Sequence, residues 1–317
     1  MNQMINTLRR RTTTRTAVAG VALGSLLTVA ASTAAPAGAQ SAPVVQGLVK
    51  VQSPAISNSN RYKTEVATCP GSKKVVGGGG WTMTTDPDEE ESVALTRLEP
   101  SDNVDGAGAD GYIATAAETQ PGVGGDWWVQ AYALCADASS VPGWDINAAY
   151  TTTASDPKQQ LSVGCDNAGQ KVIGTGARIG INALGQGEVV LQQAAALFTG
   201  LRARAQAQED GTGYAGQWWL GAYAICASTP SGYEVVTGGS AQAQSETSKW
   251  VEASCSSGNQ LLSAGAFTTV DVPPNISLQT VYPRSNLRQL EAYAVENTPT
   301  SLSWGVFSVR GICVDSP

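Results

Sequence analysis

The sequence predicts an all-β protein made of three tandem, roughly six-stranded antiparallel repeats, sandwich- or prism-like, packed with pseudo-threefold symmetry. Three observations predict it. Six cysteines recur in one phase, at Cys69, Cys135, Cys165, Cys226, Cys255 and Cys313. Cys69, Cys165 and Cys255 each open a related stretch (CPGSKKVVGGGGWT, CDNAGQKVIGTGARI, CSSGNQLLSAGAFT), and Cys135, Cys226 and Cys313 each close another (WWVQAYALCA, WWLGAYAICA, WGVFSVRGICV). Apolar and polar residues alternate with period two between clusters of Gly, Pro, Ser and Asn, which is the pattern of short strands and turns.

Residues 1–39 read as a secretory signal peptide. Arg9, Arg10, Arg11 and Arg15 form a basic start, an apolar stretch runs from Thr16 to about Thr33, and Ala37-Gly38-Ala39 offers a small-x-small cleavage site. Arg9-Arg10 also touches the twin-arginine pattern, so Sec and Tat export both stay open. The rest divides into repeat 1 (40–140), repeat 2 (141–230) and repeat 3 (231–317). Without the four leader arginines, 15 basic residues face 26 acidic ones. Such an acidic chain repels a phosphate backbone, so nucleic acid is not the expected partner. No later apolar run is long enough to span a bilayer.

Every repeat opens on a glycine and apolar residues: Gly47-Leu48-Val49, Gly143-Trp144 with Ile146, Gly232-Tyr233 with Val235. The first cysteine follows 22, 22 and 23 residues later. Next come a polar turn and an apolar pair (Val75-Val76, Val172-Ile173, Leu261-Leu262), then small residues (Gly77-Gly78-Gly79, Gly174-Thr175-Gly176, Ser263-Ala264-Gly265). These glycines are expected to permit a bulge or the close passage of another strand; a phosphate cradle would need a βαβ frame. A strand follows (SVALTRL, EVVLQQA, ISLQTVY), then YIATAAE, LRARAQA and LEAYAVE with Ala114, Ala203 and Ala292 in phase, and finally the strand ending at the second cysteine. Alanine favours helix, but spacing at every second residue without a 3.6-residue stripe favours strand.

Six cysteines allow 15 pairings. Only Cys69–Cys135, Cys165–Cys226 and Cys255–Cys313 give each repeat the same bridge. Exported cysteines in even number suit an oxidising compartment. The chain has no histidine and no close CxxC pair, so no metal or other cofactor is expected.

Cys69-Pro70-Gly71, Lys73, Val76 and Gly77-Gly78-Gly79, followed by Tyr132-Ala133-Leu134-Cys135-Ala136, resemble a disulfide-stapled β-repeat module of exported actinobacterial proteins. The resemblance spans nearly all of the exported part. Repeat 2 keeps the closing strand without the Cys-Pro-Gly turn, and repeat 3 ends in Arg310-Gly311-Ile312-Cys313. No assigned activity comes with that module. Threefold β-prism proteins of the lectin and egg-membrane type share the symmetry and the internal bridges, a likeness of fold that carries no function.

Without histidine or a free thiol, Ser-His-Asp and Cys-His catalysis are excluded, and no catalytic residue is assigned. A carboxylate pair for glycan hydrolysis would draw on Glu118, Glu188 and Glu296, though nothing marks two of them as partners. The run Asp86-Pro87-Asp88-Glu89-Glu90-Glu91, unique to repeat 1, is read as a solvated loop, with calcium binding by the run as the other reading; Asp86, Asp88 and Glu90 stand as candidate binding residues, in the loop from Thr84 to Glu91 that an inhibitor or adaptor would present. In the pairs Trp127-Trp128 and Trp218-Trp219, one member faces each side of a strand. Counting by twos from the cysteines groups Trp128, Trp219 and Trp304 as a shared core face and leaves Trp127 and Trp218 as candidate binding residues. The expected function is a secreted structural or binding protein for a protein or an envelope or polymer saccharide. The alternatives are a carboxylate-dependent glycan hydrolase and a secreted inhibitor or toxin-associated adaptor.

Overall fold

The computed structural model describes residues 41–86, 92–240, 247–268, 275–297 and 304–317. The expected signal peptide lies outside the described residues. Repeat 1 forms β1 (Val49–Gln52), β2 (Tyr62–Thr68), β3 (Lys74–Thr84), β4 (Val93–Ser101), β5 (Gly111–Glu118) and β6 (Trp127–Ala136). Repeat 2 forms β7 (Asp145–Tyr150), β8 (Lys158–Gly164), β9 (Gln170–Gly180), β10 (Val189–Ala196), β11 (Arg202–Glu209) and β12 (Trp219–Ser228). Repeat 3 forms β13 (Glu234–Gly239), β14 (Ser248–Ser254), β15 (Asn259–Thr268), β16 (Ile276–Pro283), β17 (Gln289–Glu296) and β18 (Phe307–Asp315). The all-β, six-strand-per-repeat expectation holds.

The repeats are not three separate sheets. The strands pair as three antiparallel six-stranded sheets: sheet I (β2-β5-β4-β9-β12-β7), sheet II (β8-β11-β10-β15-β18-β13) and sheet III (β14-β17-β16-β3-β6-β1). Each repeat gives its second, fifth and fourth strands to one sheet and its third, sixth and first to another. The ring closes cyclically, with junctions Leu98↔Ala177, Ala194↔Ala266 and Val281↔Gly80. The inner faces meet in one apolar core containing Leu95, Leu98, Leu134, Ile173, Leu191, Leu220, Leu262 and Leu278.

The fifth strands show why so many small residues are needed. Ala114, Ala205 and Ala292 are fully buried and pair with Leu98, Ala194 and Val281. Ala205, not Ala203, is therefore the counterpart of Ala114. Alanine at every second position of β11 makes a two-residue slip invisible to pattern matching, because the slip keeps every side chain on its face.

Bulges recur at equivalent places. The fourth strands shift register at Leu95/Arg97, Leu191/Gln193 and Leu278/Thr280. The third strands shift at Val75/Gly77 and Leu261/Ser263, and β9 skips Ile173 in its pairing with β12. At the latter bulges the third strands of different repeats crowd together. A Cβ on Gly77 would sit 2.2 Å from the Leu262 carbonyl oxygen, and one on Gly174 2.2 Å from that of Val76. The glycines thus serve a bulge and a close backbone approach at once. Gly174→Val is expected to lower stability by about 1–3 kcal/mol, since backbone rather than a flexible side chain must yield; a thermal melt without a shift would contradict this.

Side chains of the following repeat close these bulges. Trp144 Nε1 donates to the Val75 carbonyl at 2.7 Å, and the Tyr233 hydroxyl donates to that of Val172 at 2.7 Å. The bulged glutamines reach between sheets: Gln192 Nε2 donates to the Ile276 carbonyl at 3.2 Å and Gln279 Nε2 to that of Val93 at 2.8 Å.

The bridges are Cys69–Cys135, Cys165–Cys226 and Cys255–Cys313, the pairing the repeat predicts. The first cysteine of each immediately follows β2, β8 or β14, and the second lies in β6, β12 or β18. Each bridge therefore ties one sheet to another: I to III, II to I, and III to II.

Candidate functional site

The structure reverses the roles assigned within the two adjacent tryptophan pairs, while Trp304 is a core residue as expected. Trp127, Trp218 and Trp304 are the equivalent set, all with no solvent exposure. Trp127 Nε1 donates to Glu118 Oε1 at 3.0 Å and Trp218 Nε1 to Glu209 Oε1 at 3.1 Å. Lys63 Nζ donates to the Trp127 carbonyl at 2.5 Å, Gln159 Nε2 to that of Trp218 at 3.0 Å, and Lys249 Nζ to that of Trp304 at 2.8 Å. Trp127 and Trp218 are core residues, so neither is a binding platform. The count by twos failed because repeat 3 places two residues, Gly305 and Val306, between Trp304 and Phe307. Repeats 1 and 2 place one, Trp128 or Trp219, before the equivalent Val129 or Leu220. One extra residue inverts the parity.

The candidate carboxylates divide by environment. Glu118 and Glu209 hold indole N–H groups, and Glu296 ends the equivalent strand fully buried. Glu209 was missed in the sequence because of the two-residue slip in β11. Glu188 accepts hydrogen bonds from Gln120 Nε2 at 3.3 Å and Thr212 Oγ1 at 3.5 Å. Asp86 is exposed after β3. Asp88 and Glu90 lie outside the described residues.

With Trp127 and Trp218 facing in, Trp128 and Trp219 face out, and they mark the surfaces with chemistry to offer. On sheet I, inward Ala177, Ile179, Leu220 and Ala222 alternate with outward Arg178, Gly180, Trp219 and Gly221. One row of this outer face reads Thr64–Thr115–Arg97–Arg178–Gly221–Tyr150 across β2, β5, β4, β9, β12 and β7. Trp219 and Tyr150 meet edge to face with centroids 5.3 Å apart. Two glycines make the floor: a Cβ on Gly180 would overlap the Trp219 ring, and one on Gly221 would meet the Tyr150 ring at 3.1 Å.

Two shallow cavities of about 390 Å³ flank the Trp219 ring, one toward Tyr150, Thr151 and Thr153, the other toward Gly180, Asn182 and Gln217. A smaller hollow of about 120 Å³ lies beside Arg97 and Thr115. Arg178 lines all three. Arg97 Nε contacts Glu99 Oε2 at 2.5 Å, whereas Arg178 stands 3.6 Å from the same oxygen. The Arg178 guanidinium lies 5.4 Å from the Trp219 ring centre. Burial, joined by the negative charge of Glu99, pushes the Tyr223 hydroxyl well above the ordinary tyrosine range, so it stays a neutral donor.

Sheet III carries a second outer aromatic face. Trp81 lies 5.7 Å from Trp128 and 5.4 Å from Tyr282, and Tyr282 lies 4.9 Å from Tyr132, centre to centre. Lys50 Nζ sits 3.8 Å from the Tyr282 ring centre. Burial draws the Lys50 ammonium below its ordinary value, while the neighbouring Tyr282 works the other way.

No family model matches the chain, and neither does any curated protein. The outer faces themselves therefore carry the functional reading.

Proposed function

We propose that this chain is an exported, non-catalytic binding protein that holds a polymer saccharide against the outer faces of its sheets. The supporting observation is the Trp219–Tyr150 pair on its glycine floor, with a hollow on each side of the indole. A partly exposed indole offers an apolar plane for the C–H face of a sugar ring. Thr151, Thr153, Asn182 and Gln217 supply hydrogen-bonding groups around it. The three sheet-to-sheet disulfides suit an oxidising environment, and no helix among the described residues is long and apolar enough to cross a membrane. Export through the arginine-led segment and kinship with actinobacterial β-repeat modules belong to this proposal.

The test is co-sedimentation with insoluble polysaccharides and affinity electrophoresis with soluble ones. Trp219→Ala is expected to weaken binding by about tenfold or more while leaving the melting curve nearly unchanged, because the ring rests on the sheet instead of filling the core. Unaltered binding by this variant would remove sheet I as the site. Trp81→Ala separates the contribution of sheet III.

A further inference from the structure

We infer that the sheet I groove takes an acidic polysaccharide, one whose sugar rings carry carboxylates, with Arg178 as the residue that reads the charge. This rests on the saccharide-binding reading above.

Arg97 and Arg178 are direct cross-strand partners on adjacent strands. Like charges placed opposite one another destabilise a sheet. The scaffold does not require them, since the equivalent junction partners are Gln193 and Phe267 in sheet II and Thr280 and Trp81 in sheet III. Two arginines therefore occupy a junction at which neutral pairs serve equally well. They are also the only charged side chains lining the three hollows among the described residues, so the groove is locally basic at contact range, whereas the chain's net charge of −7 repels a polyanion only at the longer range that salt screens.

One carboxylate faces the two cations. Glu99, 11% exposed in its side chain, is taken up by Arg97 at hydrogen-bonding distance. Arg178, 39% exposed in its side chain, makes only a longer ion pair with the same Glu99 oxygen at 3.6 Å, and its guanidinium donates no side-chain hydrogen bond among the described residues. Two cations thus share one carboxylate, which leaves the groove one positive charge in excess, with Arg178 the less firmly held and more exposed fork, of the planar kind that matches a carboxylate through two parallel N–H···O bonds. The fork lies beside Trp219, so a pyranose stacked on the indole would bring its carboxylate to Arg178. A neutral sugar would gain the stacking alone.

The experiment is native affinity electrophoresis of the purified protein in gels containing polygalacturonate, a neutral β-glucan, dextran sulfate or polyglutamate. Arg178→Gln, Arg178→Lys and Trp219→Ala are run alongside after their melting curves are checked against the native chain. The native protein is expected to be retarded most by polygalacturonate, less so as salt is raised. Arg178→Gln is expected to lose about tenfold or more in affinity for polygalacturonate, a larger fold-loss than toward the neutral glucan, and Arg178→Lys to fall between, because it keeps the charge without the fork. Equal retardation by neutral and acidic glycans in native and Arg178→Gln proteins overturns this inference and leaves the saccharide reading standing. Retardation by no glycan removes both. Preference for dextran sulfate or polyglutamate over polygalacturonate also overturns it, in favour of sulfate or acidic-peptide recognition.

Discussion

Trp218→Ala is expected to cost about 3–5 kcal/mol of unfolding free energy, whereas the same change one residue later, at Trp219, leaves stability close to that of the native chain. Trp218 has no exposed surface, and its carbonyl and indole N–H are both engaged. Truncation leaves a large void between sheets. It also strips a donor from Glu209, itself buried and left with the Tyr214 backbone N–H at 3.1 Å. A buried carboxylate that loses a partner adds its own desolvation cost. Trp218→Phe should fall between, restoring much of the volume without the N–H. Denaturant unfolding with the disulfides intact measures all three, and equal losses at Trp218 and Trp219 would refute the assignment of faces.

Removing one bridge, as in Cys165→Ala with Cys226→Ala, is expected to lower stability by about 4 kcal/mol, the chain-entropy cost of freeing a loop with a sequence separation of 61. The other bridges close separations of 66 and 58, so the three losses should be nearly equal. The shape of the transition says more than its midpoint. Each bridge joins two sheets and each sheet joins two repeats, so the variant should still unfold in one cooperative step. A biphasic melt, with one repeat lost before the other two, would show that the repeats behave as separate domains.

Much of this was legible in the sequence for one reason: repetition supplies three readings of each position. The strand count, the disulfide pairing and the role of the glycine runs at Gly77 and Gly174 follow from comparing the copies with one another. The candidate site was not legible in the same way. A single inserted residue before Phe307 reversed the parity that decides which tryptophan faces out, and alternating alanines in β11 hid Glu209 as the counterpart of Glu118. Both errors come from the period-two geometry of a strand, in which a shift of one residue changes face and a shift of two leaves no trace.

The sequence by itself determined what is local or repeated: the strands, the turns between them, the bridge map and the exclusion of histidine- and thiol-based catalysis. Only the tertiary structure decided how the repeats share their sheets, because hydrogen bonding between the fourth strand of one repeat and the third of the next leaves no mark on either strand alone. That pairing brings Arg97 of repeat 1 beside Arg178 of repeat 2, and with them Trp219 and Tyr150. The candidate site is thus a property of the junction between two repeats, assembled from residues whose separation in the chain conceals their proximity.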